Sequence, residues 1–293
     1  MRILLAVSGG VDSMYLANRA LELFPGSCFA VAHCNFRLRG TESDGDEAFV
    51  REWCKDKGMP LYVKGFDTRE YASSHGISIE MAARDLRYEW FAELCSEEGF
   101  DAVAVAHNAN DNAETLMLNL LRGTGSRGLR GMSQNCAGIL RPLLGTTRAE
   151  IENWMKAKGL NWREDSSNKV NDARRNIIRN EVFPIFSRIN PSFLGTLNRD
   201  MEHFSQVDDI ADDYFRSSGL NMDCGVDLRE LKSFKHWEYL LFRLLEPYNL
   251  SEETFGKLIE LLKSDRTVSG KVFQSPTHIV RIRIKKILAE PRF

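Results

Sequence analysis

The first half of the chain alternates short apolar runs with stretches in which apolar residues recur every three or four positions. The runs predict buried β-strands and the periodic stretches predict amphipathic helices. Their alternation indicates a Rossmann-like α/β fold, with a parallel sheet and helices on both faces, which we assign to residues 1–189. The predicted strands are residues 3–7, 29–33, 61–64, 102–107 and 139–143, and the predicted helices are residues 12–24, 42–57, 80–98, 112–121 and 148–158.

The pattern becomes mainly helical from Asn190 onward. Pro191 is typical of the first turn of a helix, and Phe193, Leu197 and Met201 recur on one face of the stretch that follows. We therefore expect a second, mainly helical domain over residues 190–293 that ends in a short β-hairpin. Its other predicted elements are helices at 237–248 and 251–262 and hairpin strands at 271–274 and 278–284.

The composition is that of a soluble globular protein, since 43% of the 293 residues are hydrophobic and 27% are charged. Six scattered cysteines without a C-x-x-C pair disfavour an iron–sulfur cluster and a zinc ribbon, and they suit a reducing compartment. No run approaches the roughly 20 apolar residues of a membrane span, and no signal peptide is recognisable. We expect a cytoplasmic protein with no membrane partner.

The charge is unevenly distributed along the chain. The formal net charge is −2, yet the stretch from Arg122 to Arg188 holds thirteen Lys or Arg residues against six Asp or Glu residues. A basic middle in an otherwise acidic chain favours one face that binds a polyanion; the alternative is that these cations only solvate helix faces. Residues 123–131 interleave glycines with arginines, which suggests a mobile flap that touches phosphate or a loop that is merely flexible.

A glycine-rich loop, Ser8-Gly9-Gly10-Val11-Asp12-Ser13, lies between the first predicted strand and the first predicted helix. Two glycines let backbone N–H groups approach an anion, and the helix N-terminus adds partial positive charge. We expect the loop to bind phosphate, with Asp12 close to any metal ion on that phosphate. The alternative is a tight turn in which Asp12 or Ser13 only caps the helix. No lysine follows the glycines, so this is not a Walker-type loop.

Polar side chains also follow two other predicted strands. His33 ends the second strand, and residues 107–111 follow the fourth. Ligands of parallel sheets bind at the carboxyl ends of the strands, so these groups should share one crevice with the glycine loop. His107 and Asp111 are four residues apart where a helix begins, so both could face that crevice. The alternatives are that Asp111 only caps the helix and that both histidines are structural.

The glycine loop resembles the motif of the PP-loop ATP pyrophosphatase superfamily. Several further segments, in order along about residues 3–200, resemble the tRNA(Ile)-lysidine synthetase family. These segments are residues 107–115, 120–125, 128–132, 141–144, 162–168, 175–180, 184 and 190–191. Members of that family use ATP to adenylate the wobble cytidine of a minor isoleucine tRNA, and the ε-amine of lysine then displaces AMP to leave lysidine.

The resemblance implies ATP and Mg²⁺ as cofactors, and the isoleucine tRNA with a CAU anticodon and free L-lysine as partners. It implies catalytic roles for Asp111, His107 and Arg84, although Arg84 could simply pair with Glu80 on a solvated helix. The expected nucleotide-binding residues are Ser8, Gly9, Gly10, Val11, Asp12, Ser13 and His33, with Asp12 at the metal. The expected tRNA-binding residues are Arg122, Arg127, Arg130, Arg163, Arg174, Arg175 and Arg179.

Other functions remain open from the residues alone. A tRNA 2-thiocytidine thiolase would need cysteine pairs or a cluster. An ammonia-using NAD or GMP synthetase would leave the basic middle unused, and a non-catalytic nucleotide-binding module would not need Asp111. Long family members carry one more C-terminal domain, so we expect a short form or a truncated piece. A homodimer is a further expectation, although the sequence does not fix the oligomeric state.

Overall fold

A computed structural model describes residues 1–164, 173–264 and 269–292. The chain forms two compact units, Met1–Gln206 and Val207–Phe293. The domain boundary expected between residues 189 and 190 stays a prediction. Within the described residues, no helix is both long and apolar enough to cross a membrane.

The first unit is built on a six-stranded sheet in the order β3-β2-β1-β4-β6-β5. All neighbouring strands are parallel except β5 and β6. The predicted parallel sheet is therefore confirmed, with an antiparallel edge strand that the sequence pattern did not show. The strands are β1 (Arg2–Ala6), β2 (Cys28–Asn35), β3 (Leu61–Gly65), β4 (Ala102–Ala104), β5 (Asn135–Cys136) and β6 (Ile139–Leu140).

Ten helices of the described chain accompany this sheet. They are α1 (Val11–Leu23), α2 (Thr41–Lys57), α3 (Thr68–His75), α4 (Ile79–Glu98), α5 (Ala109–Arg122), α6 (Ser126–Leu129), α7 (Arg148–Ala157), α8 (Ala173–Ile177), α9 (Phe183–Ile189) and α10 (Phe193–Ser217), the last of which continues into the second unit. A π-helical turn, Ile178–Val182, joins α8 to α9. The short helices α3, α6, α8 and α9 were not predicted, because so few turns leave little periodicity to detect.

The core lies on both faces of the sheet. Ile3 and Leu5 of β1 pack in one buried cluster and Leu4 packs in the other. All three side chains are completely buried, which explains why the first strand is a continuous apolar run rather than an alternating one. Because β1 lies between β2 and β4, the chain changes direction across the sheet beside β1, where a crevice opens at the carboxyl ends.

Two predicted elements differ in detail from the structure. The strand predicted over residues 102–107 ends at Ala104, because its neighbour β6 ends at Leu140 and the last ladder bond joins Val105 N to Leu140 O at 2.9 Å. Residues 123–131, predicted to be a loop, contain the short helix α6, and their role as a flap stays a prediction. Asn119 Nδ2 donates to Gly128 O at 2.9 Å, which ties this segment to α5.

The second unit combines helices with an antiparallel sheet in the order β7-β10-β9-β8. Its elements are β7 (Val226–Asp227), α11 (Leu228–Ser233), α12 (Trp237–Leu245), α13 (Glu252–Lys263), β8 (Val272–Gln274), β9 (His278–Arg283) and β10 (Lys286–Pro291). β8 and β9 form the hairpin expected from the sequence, but β10 and β7 extend it to four strands. The turn before β10 uses Ile284 and Lys285 at positive φ, so no glycine marked it.

Candidate active site

A cavity of about 570 Å³ opens at the carboxyl ends of the central strands. Its lining includes most of the glycine loop, together with His107 and Arg163. It also includes three cations that the sequence analysis did not select, Arg87, Arg148 and Lys156. Of the residues predicted to share a crevice, the glycine loop and His107 line this cavity, whereas His33 and Asp111 are not among its lining residues. The cations give the cavity the charge that a phosphate-bearing ligand requires.

The glycine loop has the backbone geometry of an anion cradle. Gly9 has φ of +94°, a conformation that favours glycine. Gly10 is the N-cap of α1 and supplies no side-chain cap, so the first amides of that helix are available to an anion. Ser13 is not a cap either: its hydroxyl accepts from Ser8 N at 3.2 Å and donates to Gly10 O at 2.9 Å.

Asp12 is held by two donors inside the cavity. Asn108 Nδ2 donates to Asp12 Oδ1 at 3.1 Å, and the Arg148 guanidinium donates to Asp12 Oδ2. Burial raises the pKa of Asp12 above its ordinary value, while the charge of Arg148 acts against that rise and the charge of Asp111 adds to it. The charged form of Asp12 is therefore costly to bury, and the neighbouring Arg148 guanidinium offsets part of that cost.

Asp111 lies on the other side of Asn108. Asn108 is the N-cap of α5, and its side-chain oxygen accepts from Asn110 N at 2.9 Å and Asp111 N at 3.1 Å. Asp111 Oδ2 accepts from Asn108 N at 3.0 Å, which completes a capping box. Asp111 thus contributes to the cap, which is one of the predicted alternatives. Helix α5 begins three residues earlier than predicted, so Asp111 lies in its first turn. The carboxylate of Asp111 is close enough to Asp12 and His107 for its charge to shift the pKa of each.

His107 is a neutral imidazole at physiological pH. Burial lowers the pKa of His107 to about 4; the charge of Asp111 opposes this shift, and the charges of Arg141, Arg87 and Arg84 reinforce it. Arg141 Nε donates to His107 Nδ1 at 3.3 Å. Nδ1 is therefore the acceptor, and the ring proton is on Nε2, which can donate a hydrogen bond to a ligand.

An ion pair between Arg179 and the buried Glu114 lies next to Asp111, and Glu114 was not predicted as a site residue from the sequence. Arg179 donates to both oxygens of Glu114, at 2.7 and 3.0 Å, and Glu114 is completely buried. Arg179 Nη2 also lies 3.8 Å from Asp111 Oδ1. The spacing of three residues between Asp111 and Glu114 on one helix was the available signal. Arg179, predicted as a tRNA contact, holds two carboxylates together.

The remaining predicted residues are dispersed around the cavity. His33 is 2% exposed, and its Nδ1 lies 2.8 Å from the carbonyl of Val7, beneath the glycine loop. Arg84 is exposed on α4, with its guanidinium over the ring of Tyr88. Arg163 pairs with Asp46, and its backbone N–H donates to Gly9 O at 2.9 Å, so it braces the loop.

The other predicted tRNA contacts lie along the basic stretch of the first unit. Arg122 ends α5 and is exposed, Arg127 is exposed on α6, and Arg130 directly follows that helix. Arg174 and Arg175 belong to α8. Of the polar segment 162–168, residues 165–168 lie outside the described residues.

Comparisons with known proteins agree with this geometry. Residues 1–186 match the family described as PP-loop domain, and residues 221–290 match the family described as TilS substrate binding domain. The fold also resembles the U34-tRNA thiolase NcsA from Methanococcus maripaludis, with a TM-score of 0.59 and 18% identity over 69% of this chain and 72% of that one. The glycine loop at the carboxyl end of β1 is thus that of a PP-loop protein.

Two relatives are more specific. The tRNA(Ile)-lysidine synthase of Porphyromonas gingivalis is 41% identical over 286 residues, which are 96% of this chain and 62% of the relative. That of Chlorobaculum tepidum is 40% identical over 266 residues, 85% of this chain and 78% of the relative. The chain belongs to the tRNA(Ile)-lysidine synthase family. It spans 62% of the length of the Porphyromonas relative.

Proposed function

We propose that this chain forms lysidine: it adenylates the wobble cytidine of the isoleucine tRNA with a CAU anticodon and ligates free L-lysine to the activated base. One observation supports this most strongly. Asn108 contacts both Asp12 of the glycine loop and Asp111 of α5, so an anion cradle and a second carboxylate stand side by side. Family membership supports the same assignment.

ATP is the proposed occupant of the cavity, with its phosphates on the amides of the glycine loop and of α1. Mg²⁺ usually binds through one or two carboxylates together with substrate phosphates. Asp12 fits that donor set. In the described part of the chain no three His, Cys, Asp or Glu side chains are grouped to hold a metal alone, which suits an ion that arrives with the nucleotide. The bound ion would neutralise charge on the leaving pyrophosphate.

Asp111 is the proposed base for the incoming lysine. A free lysine amine has a pKa of about 10.4, so at pH 7 the neutral form costs roughly 4.6 kcal/mol. A carboxylate must therefore orient the ammonium and accept its proton. Arg179, which is itself held by Glu114, lies 3.8 Å from the Asp111 carboxylate. This contact orients the Asp111 carboxylate before the substrate arrives.

His107 is proposed to donate a hydrogen bond rather than a proton. Its pKa of about 4 keeps the ring neutral, with Nε2–H available to an oxygen of the base or of the α-phosphate. The cations Arg84 and Arg87 are close enough to lower that pKa, so they also favour negative charge that develops nearby. These two arginines are the proposed stabilisers of the departing pyrophosphate.

The basic stretch is proposed to bind tRNA through its phosphates, which fits the exposed position of Arg122. The wobble base must leave its stack to enter the cavity, so selection of the tRNA would rest on the unstacked anticodon loop and on shape. A cytoplasmic location follows from a tRNA substrate, and homodimer formation stays a prediction.

A thiolase function is less well supported. All six cysteines are free, and Cys34, which lines the cavity, has its pKa raised to about 12 by burial. Such a thiol is a poor nucleophile and a poor metal ligand at neutral pH. The likeness to the thiolase fold is therefore a likeness of scaffold.

Mass spectrometry of isoleucine tRNA after incubation with ATP and lysine tests the proposal. We expect a gain equal to lysine minus water, and pyrophosphate release that depends on the tRNA. Asp111→Asn should abolish the mass gain, because lysine attacks only after pyrophosphate has left, whereas Glu93→Gln, a matched change in an exposed pair with Lys64, should preserve both the mass gain and the pyrophosphate release. Unmodified tRNA with the unchanged protein, or full activity of Asp111→Asn, would contradict the assignment.

A further inference from the structure

The contact between Arg148 and Asp12 lies at the centre of the proposed nucleotide site. Both carboxylate oxygens of Asp12 are engaged, one by Asn108 and the other by the Arg148 guanidinium. In the proposed function, Asp12 is the carboxylate that meets the metal ion on the phosphates. The guanidinium therefore stands where that ion would approach.

Arg148 is anchored at its backbone and adjustable at its head group. It is the first residue of α7, whose start is fixed by a capping box between Thr147 and Glu150. Its backbone N–H donates to Asn110 Oδ1 at 3.0 Å, which ties α7 to the start of α5. Its side chain is 41% exposed and its Nε also donates to Glu152 at 2.8 Å, so the head group has a second carboxylate partner.

We propose that Arg148 is an internal counterion that holds Asp12 until a metal–nucleotide complex arrives, and that its guanidinium then passes from Asp12 to a phosphate oxygen. This inference rests on the proposed function, because it takes the cavity to be the ATP site. No covalent bond changes in this exchange. One ion pair is replaced by two, metal with Asp12 and guanidinium with phosphate.

Charge explains why the exchange needs both ligands. A divalent ion cannot share Asp12 with the adjacent guanidinium without repulsion between the two cations, which is strong in a partly buried site. A metal ion that binds without nucleotide must displace the Arg148 guanidinium from Asp12. The guanidinium then keeps only its ion pair with Glu152. When the nucleotide comes too, its phosphates give the displaced guanidinium a bidentate partner. Metal and nucleotide should therefore bind cooperatively, and the metal alone should bind weakly.

A purely structural clamp makes a different prediction. If Arg148 only fixed the carboxylate of Asp12 in a geometry suited to the metal, its loss would weaken metal binding. If it only raised the positive potential of the cavity, any nearby cation would have the same effect. Lys156 provides the matched control, because it lines the same cavity on the same helix but pairs with Glu152 at 3.9 Å instead of with Asp12.

Mn²⁺ binding, measured by electron paramagnetic resonance on the full chain with a non-hydrolysable ATP analogue present or absent, tests the proposal. Arg148→Gln should raise the affinity for Mn²⁺ alone at least about tenfold and lower the affinity for the ATP analogue about tenfold. Lys156→Gln should change the affinity for Mn²⁺ alone by less than about twofold, since it leaves Asp12 paired. Arg148→Met, which keeps the aliphatic stem, replaces the Gln variant if that variant does not fold.

Unchanged or weaker binding of Mn²⁺ alone after loss of Arg148 would overturn the proposal. Equal tightening in Lys156→Gln would overturn it too, because the effect would then be general electrostatics. The experiment uses neither tRNA nor lysine. A protein that passes it but forms no lysidine would refute the proposed reaction alone, and a lysidine-forming protein that fails it would refute only the role of Arg148.

Discussion

Asn108 donates a hydrogen bond to Asp12 at 3.1 Å and so joins two parts of the site that are 96 residues apart. The same residue caps α5, which presents Asp111. One amide side chain thus sets the distance between the proposed metal ligand and the proposed base. Its removal should disturb both stability and activity, by separable amounts.

Asn108→Ala removes an N-cap and a partner of Asp12, so we expect the free energy of unfolding to fall by about 1–2 kcal/mol and tRNA-dependent pyrophosphate release to fall sharply. Asn108→Ser keeps a neutral cap acceptor but lacks the Nδ2 group that donates to Asp12. It should keep most of the stability and lose the activity. Urea denaturation and the release assay check both variants, and an active Asn108→Ala would refute the link.

His107 should make the protein less stable in acid. Its pKa is lowered in the folded state to about 4 from an ordinary value of 6.5, so between these pH values the unfolded chain binds the extra proton. The stability that neutral His107 contributes is complete above pH 6.5 and is lost as the pH falls toward 4, by up to about 1.4 kcal/mol per unit. Denaturation of wild type and His107→Gln across this range checks the slope. Parallel pH curves would show that His107 is not responsible.

Arg179→Gln should leave the fully buried carboxylate of Glu114 without its cation. Breaking a fully buried pair costs 3–5 kcal/mol, and since the Arg179 side chain is 41% exposed we expect about 2 kcal/mol. The pKa of Glu114, already raised by burial, should rise further. The double variant Arg179→Gln with Glu114→Gln should recover most of the stability. Additive losses in this double-mutant cycle would show that the two side chains are not coupled.

Gly131→Ala should destabilise the packing of the residue 131 backbone against α5 and α10. Gly131 has φ of +69°, and an added Cβ would lie 2.4 Å from Met201 Sδ and 2.5 Å from Asn112 Oδ1. Asn112 Oδ1 already accepts from Met132 N at 2.7 Å, so it has little room to move. We expect a loss of about 1–3 kcal/mol in denaturation experiments. Gly195→Ala, in α10 with open space around it, is the control and should be neutral or stabilising.

Arg122→Gln should weaken tRNA binding most at low salt and reduce the slope of log affinity against log salt by about 0.7–0.9. The reason is that an exposed arginine acts by releasing counterions from phosphate. Fluorescence anisotropy with labelled tRNA measures the slope, and Arg69→Gln on α3 serves as the matched control. An unchanged slope would exclude a phosphate contact by Arg122.

Much of the fold was predictable because it depends on local pattern. The continuous apolar run of β1 and the glycine loop after it are visible in residue order alone, and they led to the parallel sheet and to the anion cradle. Elements of few residues were not predicted from the sequence. Strands β5 and β7 have two residues each, and the turn at Ile284 and Lys285 lacks the usual glycine. Such elements are stabilised by their neighbours in space rather than by their own pattern.

The amino-acid sequence was enough to identify the groups capable of chemistry and the edge of the sheet at which they lie, because the loops that follow parallel strands all emerge on the same side. The ionic partners and protonation states of these groups are visible only in the folded chain: Arg148 pairs with Asp12 across 136 residues, Arg179 supports Glu114, and His107 is neutral. Ion pairing and pKa depend on burial and on charges brought close by folding. Neither quantity is recorded in the order of residues along the chain.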